Sequence, residues 1–224
     1  MRPWVLLLAA LPALAQSGED LLARVDRLRH PWPAFTVELE VKDAATAQRW
    51  KVSARENGDA RLDGLSDKEQ GRSVLLLGEQ MWLLVPGSKR ALRVTPQQRL
   101  LGPAAGGDVA RTRFLQDYTV EAKAEDELDG RPCWRLDLAA RTPGLSARRV
   151  LLWVAREPVV PLKAEFHLAS GKVARTATFG PPVQALGQPV LSRLELVEPS
   201  GARVELSFSG WARGGVPASR FQLP

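Results

Sequence analysis

The regular patterning of the chain begins with a helical repeat of hydrophobic positions. Apolar side chains recur three or four residues apart, at Leu21, Leu22, Val25 and Leu28. Ser17 can cap a helix, acidic residues follow it directly, and Pro31 and Pro33 stand where the repeat ends. The pattern predicts one amphipathic helix between Ser17 and Pro31 that lies on an apolar surface.

From residue 35 onward the period changes to two. Apolar and polar residues alternate at 35–42 and again at 50–55, 134–138, 162–168, 194–196 and 204–208. Successive side chains of a strand point to opposite faces, so each run predicts a strand with one apolar face and one wet face. Turn dipeptides separate the runs, at Asn57-Gly58, Asp63-Gly64, Pro86-Gly87, Asp129-Gly130, Ser170-Gly171 and Ser200-Gly201. This arrangement is typical of an antiparallel meander.

Two further features predict how the sheet is covered. Residues 74–77, 81–85 and 150–154 are apolar at consecutive positions, as in strands that are buried on both faces. Residues 96–116 predict a small helical lid, with a helix starting at Pro96, a flexible linker at 102–107 and a second helix capped by Asp108. A long antiparallel sheet twists and curls. Because so few helices cannot hide its apolar face, we expect a concave apolar space that accepts an apolar ligand.

The first residues have the layout of a secretory signal. A short cationic start precedes an apolar run at 5–14, and small residues at Ala13 and Ala15 suit a signal peptidase. We expect residues 1–15 to be removed and residues 16–224 to form a single domain outside the cytoplasm, in the periplasm. The alternative is a retained membrane anchor, but the run is about half of the ~20 residues that a spanning helix needs.

Charge and cysteine content exclude several classes of function. Without residues 1–15, which hold one arginine and no acid, the net charge falls from +6 to +5. The basic residues occur in scattered pairs, which argues against nucleic-acid binding and allows only a weak, transient contact with a membrane surface. Cys133 is the only cysteine, so no disulfide can form within the chain.

Catalytic and metal-binding chemistry is poorly supplied. Neither His30 nor His167 has a partner at metal-ligand spacing, and we interpret His167 as a surface residue. Cys133 has no base nearby in sequence and is expected to be idle or packed. Residues 125–130 faintly resemble a calcium loop, but Leu136 stands where the closing glutamate belongs, so a solvated turn is the simpler interpretation. We predict neither an enzyme nor a cofactor or metal site.

Tryptophan is the residue in surplus. Beyond Trp4, the chain carries Trp32, Trp50, Trp82, Trp134, Trp153 and Trp211 beside a single tyrosine. Large rings suit a wide apolar interior, although an ordinary β core is the alternative for any one of them.

Several stretches resemble the outer-membrane lipoprotein-sorting proteins, the LolA/LolB-like periplasmic carriers. Residues 78–90, with Trp82 and Pro86, resemble the family's W-x-Y-x-P strand and turn, and residues 129–136 resemble its G-x-x-x-Y-x-L hairpin arm. The stretches 100–118, 150–154, 161–166 and 170–172 are also similar, so the resemblance covers roughly residues 35–223 in order. The chain departs from the family at residues 109–113 and at Leu84, where the family has an aromatic residue.

The resemblance implies a mainly β (α+β) fold, in which a curved antiparallel sheet forms an incomplete barrel with a small helical lid and an N-terminal helix. Its apolar interior would receive the acyl chains of lipoproteins or lipids. We therefore predict a monomeric, non-enzymatic periplasmic carrier in lipoprotein sorting or lipid transport, with an inner-membrane transporter as a candidate donor. The side chains expected to line the cavity are Trp82, Leu84, Leu101, Phe114, Trp134, Leu136, Trp153 and Phe166.

Two other hypotheses remain open at this stage. The protein could be an interaction or lipid-sensing module that docks on an envelope partner and uses its concave face to bind a peptide. It could also be an envelope hydrolase, since Glu38 and Glu40 form an acidic pair, but the sequence pairs them with no nucleophile.

Overall fold

A computed structural model describes residues 16–88, 90–95 and 111–223 of the chain. Within these ranges the α-helices are α1 (Gly18–Arg29) and the four-residue α2 (Phe114–Asp117), and a 3-10 helix spans Ala218–Phe221. The strands before α2 are β1 (Ala34–Lys42), β2 (Ala47–Arg55), β3 (Ala60–Gly64), β4 (Ser73–Leu77), β5 (Gln80–Leu84) and β6 (Leu92–Val94). The strands after it are β7 (Tyr118–Leu128), β8 (Arg131–Ala140), β9 (Arg149–Ala155), β10 (Pro161–His167), β11 (Val173–Phe179), β12 (Val183–Ala185), β13 (Gln188–Val190), β14 (Arg193–Val197) and β15 (Arg203–Arg213).

Thirteen of these strands form one antiparallel sheet, in the order β6-β5-β4-β3-β2-β1-β15-β14-β11-β10-β9-β8-β7. The sheet is curved and does not close into a barrel. Strands β12 and β13 form a separate hairpin. The mainly β fold with a curved antiparallel sheet and an N-terminal helix is thus confirmed.

The sheet is built from two meanders that meet at one long-range pairing. Strands β1–β6, here called the N-terminal half, follow one another in order, and strands β7–β11 with β14 and β15 form the C-terminal half. The halves join where β1 pairs with β15, for example Leu39 with Phe208. Strands β6 and β7, which are neighbours in sequence, are therefore the two edge strands of the sheet.

Helix α1 forms where its capping and its apolar stripe predict. The Ser17 hydroxyl accepts the Asp20 backbone N–H at 3.0 Å, and the Asp20 carboxylate accepts the Ser17 N–H at 3.3 Å, which completes a capping box. Leu21, Leu22 and Val25 are fully buried. They join one apolar cluster on what we call the inner face of the sheet, and α1 contacts α2, β7 and β13. The helix therefore covers the C-terminal half.

Two of the three strands with consecutive apolar residues, β4 and β9, are covered on both faces, as predicted, whereas residues 82–85 of the third run are only half-buried. On β4, Leu76 belongs to the inner cluster, whereas Leu75 points the other way and is also fully buried. The 3-10 helix packs against β3 and β4, with Phe221 buried there. On β9, Leu152 faces inward, while Trp153 lies on the outer face with Lys163 Nζ 4.8 Å from its ring centre.

One sequence-based interpretation is wrong. His167 was expected on the surface, but it is buried and its Nδ1 lies 3.1 Å from the Gly171 carbonyl oxygen. Its Nε2 lies 3.7 Å from the Glu165 carboxylate two residues earlier, so the alternation of the strand holds, and the ring is buried because the Glu165 side chain and the turn at Gly171 lie against it.

The turn at Asp129-Gly130 follows its sequence signal. Both residues have positive φ, 53° and 75°, which fits the tight hairpin turn between β7 and β8. Both are exposed, as expected for a solvated turn, whereas residues 125–128 belong to the end of β7. Residues 1–15 and residues 96–110 of the predicted lid lie outside the described residues. Among the described residues, no helix is long and apolar enough to cross a membrane.

Candidate ligand-binding cavity

The inner face of the N-terminal half encloses a cavity of about 390 Å³. Its walls are mainly apolar and come from every strand of that half. The apolar lining consists of Leu39, Val41, Trp50, Leu62, Val74, Met81, Leu83, Val85 and Val94. Ligand pockets in proteins commonly have volumes of about 300–1,000 Å³, so this cavity is of ligand size.

Strand register explains why the lining is apolar. Leu39 pairs with Trp50, and Leu62 pairs with Val74, so inward side chains of adjacent strands stand side by side. On β5, Met81 and Leu83 line the cavity, and the alternation of the strand sends Trp82 and Leu84 to the outer face. The period-two pattern thus sets the chemistry of the wall directly.

Polar groups are confined to one part of the lining, formed by Gln48, Glu69 and Arg72. Glu69 is 5% exposed, although it sits in the loop between β3 and β4, and Arg72 is exposed. A few placed polar groups beside an apolar wall are the usual means by which a pocket orients an amphiphilic ligand.

A second, smaller pocket of about 40 Å³ adjoins the cavity, and Leu62 lines both spaces. Its apolar walls include Val37, Ala54 and Phe208. Its remaining walls are basic, because Arg29 and His30 at the end of α1 meet Arg111 and Arg113 just before α2. The interior therefore changes from apolar to electropositive along β1 and β2.

Asp26 links the two helices beside this smaller pocket. Its carboxylate oxygens accept the backbone N–H groups of Phe114 and Leu115, each at 2.9 Å, and so it caps α2 from α1. Burial raises the pKa of Asp26 to about 6, while the Arg29 charge and the two hydrogen bonds act in the opposite direction.

Burial also changes the pKa values of the neighbouring basic groups. Desolvation lowers the pKa of the Arg29 guanidinium, which donates a 2.7 Å hydrogen bond from Nη1 to the Thr112 carbonyl. The pKa of His30 is lowered well below its ordinary value, first by burial and then by the charges of Arg29 and Arg113. His30 is therefore a neutral imidazole at neutral pH, held in an electropositive environment.

The side chains predicted to line a ligand cavity are spread over both halves of the sheet. Trp82 and Leu84 lie on the outer face of β5, where Trp82 is 5.9 Å from the Arg93 guanidinium. Phe114, Leu136 and Phe166 come together in the inner cluster of the C-terminal half, where their exposure is 1% or less. Leu101 lies outside the described residues.

The two remaining tryptophans of that set lie on opposite faces. Trp134 packs against the inner cluster, with Lys123 Nζ 3.9 Å and the Arg156 guanidinium 4.3 Å from its ring. Trp153 lies on the outer face and donates from Nε1 to Asp126 at 3.0 Å. None of the described members of the set is among the side chains that line the 390 Å³ cavity. Their contact with a ligand stays a prediction.

The cavity-lining residues themselves carried a signal in the sequence. Leu39, Val41 and Trp50 belong to the alternating runs that predict an apolar face, and so do Val37 and Ala54 of the smaller pocket. What the pattern lacks is any sign of which part of that face a helix covers. Composition therefore drew attention to the tryptophans as a set, of which only Trp50 lines the larger space.

The described residues form neither a metal site nor a reactive-thiol site. No group of three or more His, Cys, Asp or Glu side chains among them could hold a metal ion. Cys133 is fully buried, and this burial, followed by the nearby Asp126 charge, raises the pKa of its thiol. A buried thiol of this kind is a poor nucleophile.

An open antiparallel sheet with a helix over one half and an apolar cavity in the other defines a half-barrel ligand-binding fold. A profile of a protein family described as "uncharacterized protein" matches residues 65–222, which is more than half of the chain. The structure is similar to that of a LolA superfamily protein from Nitrosomonas europaea, with 26% identity, a TM-score of 0.82 and coverage of 92% of this chain and 97% of that one. No curated protein matches the chain by sequence.

Two further solved structures share the fold at lower identity. A lipoprotein-sorting protein domain from Vibrio parahaemolyticus has 17% identity and a TM-score of 0.74, with coverage of 91% of this chain and 95% of that one. A DUF1329 family protein from Desulfovibrio piger has 15% identity and a TM-score of 0.74, with coverage of 92% and 95%. The chain belongs to the family matched at residues 65–222, and its fold is LolA-like.

Proposed function

We propose that this protein is a periplasmic, non-enzymatic carrier that binds the acyl chains of lipoproteins or lipids in its larger cavity. The observation that carries the proposal is the 390 Å³ apolar space on the inner face of the N-terminal half. The names of two of the similar structures, a LolA superfamily protein and a lipoprotein-sorting domain, support the same class of cargo.

The energetics of such binding are sufficient without polar chemistry. Burying a methylene group is worth about 0.8 kcal/mol, so a chain of about 16 carbons contributes about 12 kcal/mol. Association costs about 4 kcal/mol or more in lost freedom of motion. A remainder of at most about 8 kcal/mol corresponds to a dissociation constant no tighter than about 1 μM, which suits a carrier that must also release its cargo.

A matched pair of variants on one strand tests the site. Leu83 and Leu84 are both half-buried neighbours on β5, but only Leu83 lines the cavity. We expect Leu83→Arg to weaken the binding of a fluorescent fatty acid to delipidated protein at least tenfold, because a charge would enter the apolar space. Leu84→Arg should leave the affinity within twofold, and circular dichroism with thermal melting verifies that both variants fold.

Three results would contradict the proposal. The wild-type protein could bind no fatty acid and carry no lipid that mass spectrometry detects after purification. Leu83→Arg could bind as well as wild type. A stronger loss in Leu84→Arg than in Leu83→Arg would instead place the contact on the outer face, among the side chains first predicted from the sequence.

Export is part of the proposed function and has its own test. We expect the protein to be found in the periplasmic fraction of cells, with a mature chain that begins at Gln16. Intact mass measurement of the purified protein distinguishes this from a chain that keeps residues 1–15, and recovery of the protein in the cytoplasm would argue against a periplasmic carrier.

A further inference from the structure

Several buried hydrogen-bond donors around the smaller pocket have no acceptor among the described residues. Arg111 Nε, Arg113 Nε and Trp211 Nε1 are each buried and lack a hydrogen-bond partner in the described part of the chain. All three residues line this one pocket of about 40 Å³. Buried polar groups in folded proteins are nearly always paired, so several unpaired donors around one space indicate a missing acceptor.

Arg111 is the least compensated of these cations. It is only 9% exposed, and its one hydrogen bond in the described structure runs from Nη1 to the Gly78 carbonyl at 3.2 Å. No salt bridge to an acid is found for it among the described residues. A buried guanidinium with no counter-charge is costly, and a bidentate anion is its best-matched partner.

The surrounding charges leave the pocket positive. Arg29, Arg55, Arg111 and Arg113 line it, together with His30. Asp26 and Asp117 are acids that act on both Arg29 and Arg113, and Glu56 also acts on Arg113. Three carboxylates beside four guanidiniums leave an excess of positive charge, which agrees with the lowered pKa of His30.

The position of the pocket relative to the larger cavity sets the shape of a ligand. Trp50 lines the cavity and Ala54 lines the pocket, on the same strand and the same face. Four residues of a strand span about 13 Å. An elongated molecule lying along β2 could therefore have an apolar part beside Trp50 and a polar end beside Ala54.

We propose that the smaller pocket receives the anionic end, a carboxylate or a phosphate, of an amphiphile whose hydrocarbon part lies in the larger cavity. The inference rests on the proposed function and adds to it the chemical class of the cargo. Arg111 Nε, Arg113 Nε and Trp211 Nε1 donate to the oxygens of the anion, and the anion supplies the counter-charge that no described residue gives to Arg111.

The test compares two probes that differ only in charge, 11-(dansylamino)undecanoic acid and its methyl ester, with the full mature chain. We expect wild-type protein to bind the acid at least tenfold more tightly than the ester. Arg111→Gln should abolish this preference and leave the affinity for the ester within twofold. Arg131→Gln, at an exposed arginine that lines neither space, is the matched control and should keep the preference.

A second variant keeps the test valid if Arg111→Gln fails to fold. Trp211→Phe retains an aromatic ring and removes the Nε1 donor, and it should reduce the preference for the acid two- to fivefold. A preference that survives unchanged in every folded variant of Arg111 and Trp211 would overturn the proposal.

The remaining outcomes separate its failure from that of the carrier function. If wild type binds neither probe, the carrier function itself fails and the proposal fails with it. If wild type binds both equally, the carrier stands and the anionic end has no site. Calorimetry with sodium phosphate alone distinguishes the source of the anion: binding of free phosphate that Arg111→Gln abolishes would make this a free-anion site and overturn the amphiphile.

Discussion

The two halves of the sheet have the same kind of apolar inner face but differ in how that face is covered. In the C-terminal half, α1 presses fully buried leucines and a valine onto β-strands whose inward residues, such as Leu136 and Leu152, are also fully buried. In the N-terminal half, inward side chains such as Val74 and Leu83 stay half-buried around a 390 Å³ space. The C-terminal half therefore forms a filled core, and the N-terminal half surrounds a cavity.

The contrast between the two halves arises because α1 lies over only one of them. An apolar sheet face is stable when a second layer covers it, and α1 is long enough to cover only one half. The same alternation of side chains makes a filled core where α1 lies on the sheet, and it leaves a cavity where no helix among the described residues covers the sheet.

The largest expected effect comes from truncating one leucine in each half. Leu152→Ala should lower the free energy of unfolding by about 2–5 kcal/mol, because it opens a void in a filled core. Leu62→Ala should cost at least about 1 kcal/mol less, because Leu62 already borders empty space and loses fewer contacts. Urea denaturation of both variants measures the difference, and equal losses would mean that the N-terminal half is packed like the other.

Enlarging a valine in each half gives the converse test. Val150→Phe should cost up to about 3 kcal/mol, because Val150 is fully buried and has no room for a ring. Val74→Phe should change stability by less than about 1 kcal/mol, because the ring can enter the cavity that Val74 lines. The same variant should bind fatty acid more weakly, and a Val74→Phe protein as unstable as Val150→Phe would show that the space is not available.

A smaller effect concerns the hydrogen bonds from α2 to the Asp26 carboxylate of α1. Asp26 ionises with a pKa of about 6 in the folded protein and near its ordinary value of 3.8 in the unfolded chain. Its contribution is therefore fully present below pH 3.8 and is lost as the pH rises through 6. The difference corresponds to at most about 3 kcal/mol, and we expect about 2 kcal/mol because the residue is partly exposed.

The measurement compares wild type with Asp26→Asn, which cannot titrate. Urea denaturation between pH 4 and pH 7 should show wild type losing about 2 kcal/mol more than the variant over this range. Parallel pH profiles for the two proteins would mean that Asp26 is not the buried, raised-pKa group that joins α1 to α2.

The smallest expected effect comes from the capping box at the start of α1. Ser17→Ala removes the side-chain half of the capping box and should cost about 1 kcal/mol. Ser17→Asp, which can also cap, should recover most of this loss. Thermal or urea denaturation checks both, and an unchanged stability in Ser17→Ala would mean that the first turn of α1 contributes nothing to holding the helix on the C-terminal half.

Much of this fold could be predicted from local patterns. The Ser17 cap, the apolar stripe of α1 and the Asp129-Gly130 turn each depend on residues close together in sequence. The doubly buried strand β4 was also visible as an apolar run. The burial of His167 was not, because alternation predicts the face on which a side chain lies and not what else covers that face.

The candidate site was predictable in kind but not in place. The pattern predicted a concave apolar space, and a cavity of that description exists, whereas Trp82 and Leu84 proved to face outward from β5. In a run of consecutive apolar residues nothing distinguishes odd from even positions, so the sequence could not predict which of Met81 and Trp82 points inward. The arginines of the smaller pocket meet only after α1 and the chain before α2 come together.

The sequence by itself determined the strands, their turns, the amphipathic helix and the existence of one apolar face, because each is set by interactions within a few residues. Only the tertiary structure decided that β1 pairs with β15, that α1 lies over the C-terminal half and that the cavity therefore opens in the other. The physical reason is that a helix and a sheet face recognise each other only as apolar surfaces, and the choice of which surface is covered belongs to the packing of the whole chain.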